Sequence, residues 1–228
     1  MSIFATLTED GSYALTGAGY MAIIVLMILL LLLACYVSST ETKVRTGTKR
    51  LVFAAMAMAL AYVTSFIKIF HMPMGGSVTL FSMFFITLIG YWYGLRTGLS
   101  AALAYGLLQL IVDPYILSVP QVFCDYIFAF GALGLSGIFH NAKHGLIKGY
   151  IIGVIGRFVF SFLSGFIFFA DYAPEGMNPA VYSFTYNGAY IFAEAGFTIV
   201  ILLVPAVSKA LNSVKALALQ QEGVVKTA

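Results

Sequence analysis

Long apolar runs separated by short polar breaks make up most of this chain. Seven can be marked out, at about residues 15–37, 50–70, 79–94, 97–112, 119–140, 147–170 and 180–210. Each approaches the ~20 residues that an α-helix needs to cross a bilayer core, the third and fourth being the shortest. Backbone polar groups in lipid must be satisfied within the protein, and a helix does this inside one segment. No run alternates strictly between apolar and polar positions, as a barrel strand would. The pattern predicts an all-α integral membrane protein.

Composition agrees. The 228 residues are 61% hydrophobic and 9% charged, against about 25% charged in soluble domains. The formal excess of three positive charges is too small to suggest a nucleic-acid partner. Cys35 and Cys124 both lie in apolar runs, so neither a structural disulfide nor a metal-ligand spacing is expected. No cofactor is expected. Residues 1–20 lack a basic stretch before the first apolar run, which therefore reads as a retained span rather than a cleaved signal.

Charge placement sets the orientation. Lys43, Arg45, Lys49 and Arg50 follow the first run, and Arg96 the third. Lys143 and Lys148 follow the fifth, and Lys209, Lys215 and Lys226 the last. The alternate loops, 71–78, 113–118 and 171–179, carry no Lys or Arg. Basic loops stay in the cytoplasm, which predicts a multi-pass membrane protein with its C-terminus inside and its N-terminus outside.

The runs differ in content. The first, almost uniformly aliphatic, carries nothing that could hold a solute and reads as an anchor added to a six-helix core. In the second, Ala55 and Ala59, and Ala57 and Ala61, form small-xxx-small pairs. That spacing lets helix backbones approach closely; alone it favours internal packing over a docking face for a membrane partner. Pro73, Gly75 and Gly76 forbid a helix and predict a turn. Gly131, Gly134 and Gly137, three residues apart, predict a groove for a neighbouring helix.

The remaining polar residues are the candidate chemistry. Asp125 lies inside an apolar run, where a carboxylate is expensive and marks a functional site. Gln121, four residues earlier, shares its helix face, and Tyr126 adds a ring with a polar tip. Arg157, Ser161, Gly165 and Phe169 share one face of the sixth run; Ser183, Asn187, Tyr190 and Glu194 share one of the seventh. Arg157 and Glu194 are about equally deep, so they are expected to approach each other, directly or through another polar group. Tyr115, Gln121, Asp125, Tyr126, Ser161, Phe169, Tyr182 and Asn187 fall at depths that agree to within a turn or two of helix, so they could line one cavity open to the outside.

Three stretches in order, Met72–Thr79 (MPMGGSVT), Pro120–Gly134 (PQVFCDYIFAFGALG) and Gly165–Asn187 (GFIFFADYAPEGMNPAVYSFTYN), resemble the thiamine-specific S-component of energy-coupling-factor transporters. The resemblance covers about residues 50–210. It implies a six-helix membrane domain over 50–212; outside the family's usual pattern, the apolar runs add a transmembrane helix and linker at 1–49, and a cytoplasmic tail follows at 213–228. It also implies high-affinity capture of thiamine from outside, and delivery through a transmembrane coupling subunit and two cytoplasmic ATPases. The alanine pairs, Ala55, Ala57, Ala59 and Ala61, would then dock on the coupling subunit. Asp125 and Tyr126 match the family's acidic residue and following tyrosine. Tyr182 and Asn187 match the pair that hydrogen-bonds the aminopyrimidine, and Phe169 falls where some members stack a tryptophan. Ser161 departs from the family, many of whose members carry histidine there. Arg157 matches a basic position that could face the hydroxyethyl or phosphate end of a ligand.

Thiamine suits these residues on physical grounds too. Its permanently cationic thiazolium would pair with Asp125 and lie against aromatic faces, and its aminopyrimidine edge needs the donor and acceptor that Asn187 supplies. Two rivals fit less well. A stand-alone ion-driven carrier would show inverted repeats or broken midplane helices. An intramembrane enzyme would need a base near Ser161 or Ser164, yet His71, His140 and His144 lie in or near loops. The nearest alternative is a transporter of a related heteroaromatic compound, such as a thiamine precursor.

Overall fold

A computed structural model describes residues 3–7, 13–22, 25 and 48–219. The first span and its linker therefore lie largely outside the described residues. Residues 17–22 are helical, after a short hairpin of β1 (Ala5–Leu7) and β2 (Tyr13–Leu15).

The helices of the bundle follow in chain order among the described residues. Helix α1 (Thr48–Ser65) stops five residues before the apolar run ends. The hydroxyls of Thr64 and Ser65 turn back onto the Leu60 and Tyr62 carbonyls, each at 2.7 Å. The chain then forms an antiparallel hairpin of β3 (Lys68–His71) and β4 (Ser77–Thr79), joined through a tight turn at Pro73–Gly75. The turn was legible from Pro73 and the glycines; the paired strands flanking it were not.

Helix α2 (Ser82–Tyr93) is only twelve residues long. It is the centre of the bundle, buried along nearly its whole length and packed by α1, α3 (Leu95–Val112), α4 (Val119–Phe139) and α5 (Gly145–Phe168). Helix α6 (Pro179–Leu202) begins on an Asn178 cap whose Oδ1 accepts from the Ala180 amide at 2.8 Å. The last apolar run is not one span: α7 (Pro205–Leu219) leaves α6 at 88°. Pro205, unable to donate to the preceding turn, starts the new helix. Among the described residues α3, α4 and α5 are each long and apolar enough to cross a bilayer, and α6 with α7 passes as a bent pair.

Helix α4 changes pitch along its length. A single α turn at Val119–Val122 widens into a π-helix at Phe123–Phe128, returns to α at Ala129–Gly131, and tightens into a 3-10 helix at Ala132–Phe139. At three residues per turn, side chains three apart line up, so Gly131, Gly134 and Gly137 form one face and α3 lies directly on it. A Cβ on Gly134 would sit 2.5 Å from the Leu99 backbone nitrogen. On another side α5 approaches as closely, and a Cβ on Gly149 would stand 2.7 Å from the Ser136 carbonyl oxygen. The predicted glycine groove exists, and it is occupied by backbone.

The pole carrying the basic loops is tied together. Arg50 reaches the Tyr93 carbonyl at 3.3 Å and the Thr97 hydroxyl. Lys215 of α7 donates to the His140 carbonyl at 2.7 Å and lies over the Tyr91 ring. The alanine set divides here. Ala57 and Ala61 are buried in the central core, 2% and 0% exposed, and the Tyr105 hydroxyl donates to the Ala61 carbonyl at 3.3 Å. Ala55 and Ala59 are exposed on the outer face of α1. Of the four alanines expected to dock, Ala57 and Ala61 pack inside the bundle and only Ala55 and Ala59 lie on its surface.

Candidate functional site

A cavity of about 260 Å³ opens at the opposite pole, beneath the β3–β4 hairpin. The π-wound turn of α4 places Asp125 in its wall. Insertion of a π turn leaves no local propensity signature, yet such turns recur at functional sites. Gln121 donates to Asp125 Oδ2 at 2.5 Å, as their shared face predicted. The rest of that amide is also engaged: Nε2 donates to the Tyr115 carbonyl at 3.2 Å and Oε1 accepts from the Leu117 amide at 3.1 Å. Gln121 therefore orients Asp125 and holds the 113–118 loop, leaving its amide little capacity for a solute. Tyr126 does similar work, its hydroxyl accepting from the Tyr115 amide at 2.8 Å and donating to the Asp113 carbonyl at 2.9 Å.

Helices α5 and α6 supply the facing walls. Arg157, Ser161 and Phe169 line the cavity from α5 and its C-terminal end, and Tyr182 and Asn187 line it from α6. Asn187 Nδ2 donates to the Ser183 carbonyl at 3.0 Å, while Oδ1 accepts from the Tyr190 hydroxyl at 3.0 Å. Ser183 in turn donates to the Phe162 carbonyl of α5 at 2.7 Å. This close crossing depends on Gly165: a Cβ there would meet Ser183 Oγ at 2.3 Å and Asn187 Nδ2 at 2.8 Å. Aromatic rings surround the space. Tyr115 stacks on Phe169 with centroids 5.8 Å apart, and Tyr182, Tyr186 and Tyr190 form a ladder up α6 at 5.8 and 5.9 Å.

All nine residues singled out for the ligand, Tyr115, Gln121, Asp125, Tyr126, Arg157, Ser161, Phe169, Tyr182 and Asn187, line this one cavity. The expected approach of Arg157 to Glu194 takes a different form, since no ion pair joins them. Glu194 is 3% exposed and receives the Thr79 and Met83 amides at 3.2 and 3.1 Å and the Thr79 hydroxyl at 2.6 Å. It thereby fixes the junction of β4 and α2. Arg157 lies over the Phe130 ring at 4.3 Å. Donors from the β4–α2 junction reach Glu194 first, and a hydrogen-bonded buried carboxylate needs no contact cation.

Sequence reading missed other contributors. Tyr186 donates to the Pro73 carbonyl and accepts from the Gly76 amide at 3.0 Å, pinning the hairpin over the cavity. The four-residue spacing of Tyr182, Tyr186 and Tyr190 could have revealed it. Lys68 and Asp113 pair at 2.5 Å at the mouth; their separation of 45 residues gave no signal. A carboxylate, several ring faces and an amide around a small cavity suit a flat heteroaromatic cation. His71, His140 and His144 do not line the cavity.

Comparison with known proteins gives a consistent result. The thiamine transporter protein family matches residues 51–213. The thiamine transporter ThiT of Bacillus subtilis (strain 168) is 32% identical over 158 residues, 62% of this chain and 82% of the relative. ThiT of Lacticaseibacillus paracasei is 29% identical over 169 residues, 66% of this chain and 81% of the relative. The solved structure of ThiT from Listeria monocytogenes superposes with a TM-score of 0.61 at 25% identity, covering 74% of this chain and 96% of that one.

Proposed function

The chain belongs to the thiamine transporter protein family, and from that premise we propose that it captures thiamine in the cavity beneath the hairpin. It is an all-α, multi-pass bacterial membrane protein and a transport component, not an enzyme. The observation that carries the reading is Asp125, held by Gln121 at 2.5 Å in an aromatic cavity shared with Asn187. The thiazolium pairs with the Asp125 carboxylate, and each well-placed ring adds about 0.5–2 kcal/mol of cation–π attraction. Asn187 and Tyr182 read the aminopyrimidine edge. Ser161 adds a hydroxyl to the same cavity. The basic loops place the opposite pole, and so the cavity mouth, outside the cell.

Asp125→Asn keeps the shape and removes the charge, so thiamine affinity of the purified protein should fall at least about ten-fold, consistent with the loss of a charged hydrogen-bonding partner. Unchanged affinity in calorimetric titration would end the ion-pair role. Titrating the pyrimidine half alongside thiamine separates thiamine from its precursors as the ligand.

In this reading a transmembrane coupling subunit and two cytoplasmic ATPases supply the energy, with Ala55 and Ala59 on the exposed face of α1 as the contact. Replacing both with leucine should abolish cellular thiamine uptake and leave binding to the purified protein intact. Uptake that survives both substitutions would move the docking face elsewhere.

A further inference from the structure

Helix α3 presents a third wall to the cavity that the reading above leaves unused. Tyr105, Gln109 and Asp113, spaced by four, share one face of α3 and all line the space. Two are already engaged: the Tyr105 hydroxyl donates to Ala61, and the Asp113 carboxylate holds Lys68. Gln109 is not. Its Nε2 is buried and has no hydrogen-bond partner among the described residues. A buried donor of this kind is costly until an acceptor meets it, and Gln109 is among the residues that line the cavity.

Among the described residues, Arg157 Nε is the other buried nitrogen of a cavity-lining side chain without a partner. The two stand at different levels. Gln109 is three residues from the end of α3 that carries the mouth, roughly 4–5 Å of helix, whereas Arg157 lies eleven from the end of α5, roughly 16 Å. Gln109 is a neutral donor near the opening, and it calls for a neutral acceptor on the ligand's outer end. With the thiazolium at Asp125 and the pyrimidine edge at Asn187, the acceptor left on thiamine is the hydroxyethyl oxygen.

We propose that Gln109 is a specificity-determining residue that donates from Nε2 to the hydroxyethyl oxygen of bound thiamine. The inference rests on thiamine being the ligand of this cavity. It makes the α3 wall the reader of the substituent end, while α4 and α6 read the two rings.

The test is a cycle on the purified full chain. Wild type and Gln109→Leu are titrated with thiamine, with the analogue whose hydroxyethyl is replaced by ethyl, and with the aminopyrimidine half alone. In wild type, removal of the oxygen should weaken binding about ten-fold, the usual scale for stranding a buried donor. In Gln109→Leu the same removal should cost less than about three-fold, and the pyrimidine half should bind both proteins alike. If the variant loses thiamine, the ethyl analogue and the pyrimidine half by one common factor, Gln109 is a packing residue and the proposal is overturned. Gln109→Met, unbranched and closer in shape, replaces the leucine variant if the latter does not fold. Wild-type protein that binds none of the three ligands would instead remove the thiamine reading, and this proposal with it.

Discussion

The two poles of this bundle solve opposite problems with the same helix. At the basic pole α4 is wound tightly and lies against α3 and α5 through glycines, with backbone atoms in contact. At the hairpin pole α4 is wound loosely, and the helices stand apart around a cavity closed by hydrogen-bonded polar groups. In the tight half the packing atoms are main chain, and any added carbon is a clash. In the loose half the contacts are side chains reaching across gaps, and one atom changes a ligand's environment. The comparison teaches where each kind of substitution should act: the tight half decides whether the protein folds, and the loose half decides what it holds.

The largest expected effect breaks the tight half. Gly134→Leu places a Cβ 2.5 Å from the Leu99 backbone nitrogen, with nowhere for α3 to retreat from the central bundle. Overpacking of this kind ordinarily costs about 1–3 kcal/mol where side chains can give; here main chain must move. Folded protein recovered after extraction should fall to a small fraction of wild type, and a variant with unchanged recovery and thermal stability would show that the close contact is not needed.

Gly165→Ala sharpens the comparison at the boundary between halves. Its methyl would meet Ser183 Oγ at 2.3 Å and displace the Asn187 amide. The helix crossing should loosen without unfolding, so thiamine affinity should drop roughly ten-fold with a smaller change in melting temperature, in line with a lost buried hydrogen bond. An equal collapse of both would assign the position to packing alone.

Least is expected at the mouth. Lys68 and Asp113 are 31% and 49% exposed at their side chains, and such pairs contribute about 0–1 kcal/mol. Lys68→Met should speed thiamine release by no more than about five-fold, with the difference shrinking in high salt. A larger, salt-independent change in stopped-flow dissociation would place the pair among the structural contacts.

The site was more legible than its scaffold. Ser161 and Asn187 lie on helices long enough for the four-residue spacing to hold, so their convergence could be read from depth and face alone. The π turn around Asp125 could not, since Phe123–Phe128 differs in no local way from the apolar residues around it. Glu194 was recognised as buried and expensive, but its partners are main-chain amides 111 and 115 residues away, and amides carry no sequence signature. Ala57 and Ala61 illustrate the reverse limit. Small residues show that something comes close, not whether it is the same chain or another. The bend before α7 had its warning in Pro205, inside a run whose hydropathy suggested continuity.

One dimension of α2 bears on how a solute would enter. Twelve residues rise about 18 Å, well short of the ~30 Å hydrocarbon layer. The hairpin and the cavity occupy the height that the helix leaves unfilled. A molecule seated in the cavity must exchange its hydration shell for rings and amides on the way in. Entry is then a dehydration step, and the temperature dependence of association should exceed that of simple diffusion through water.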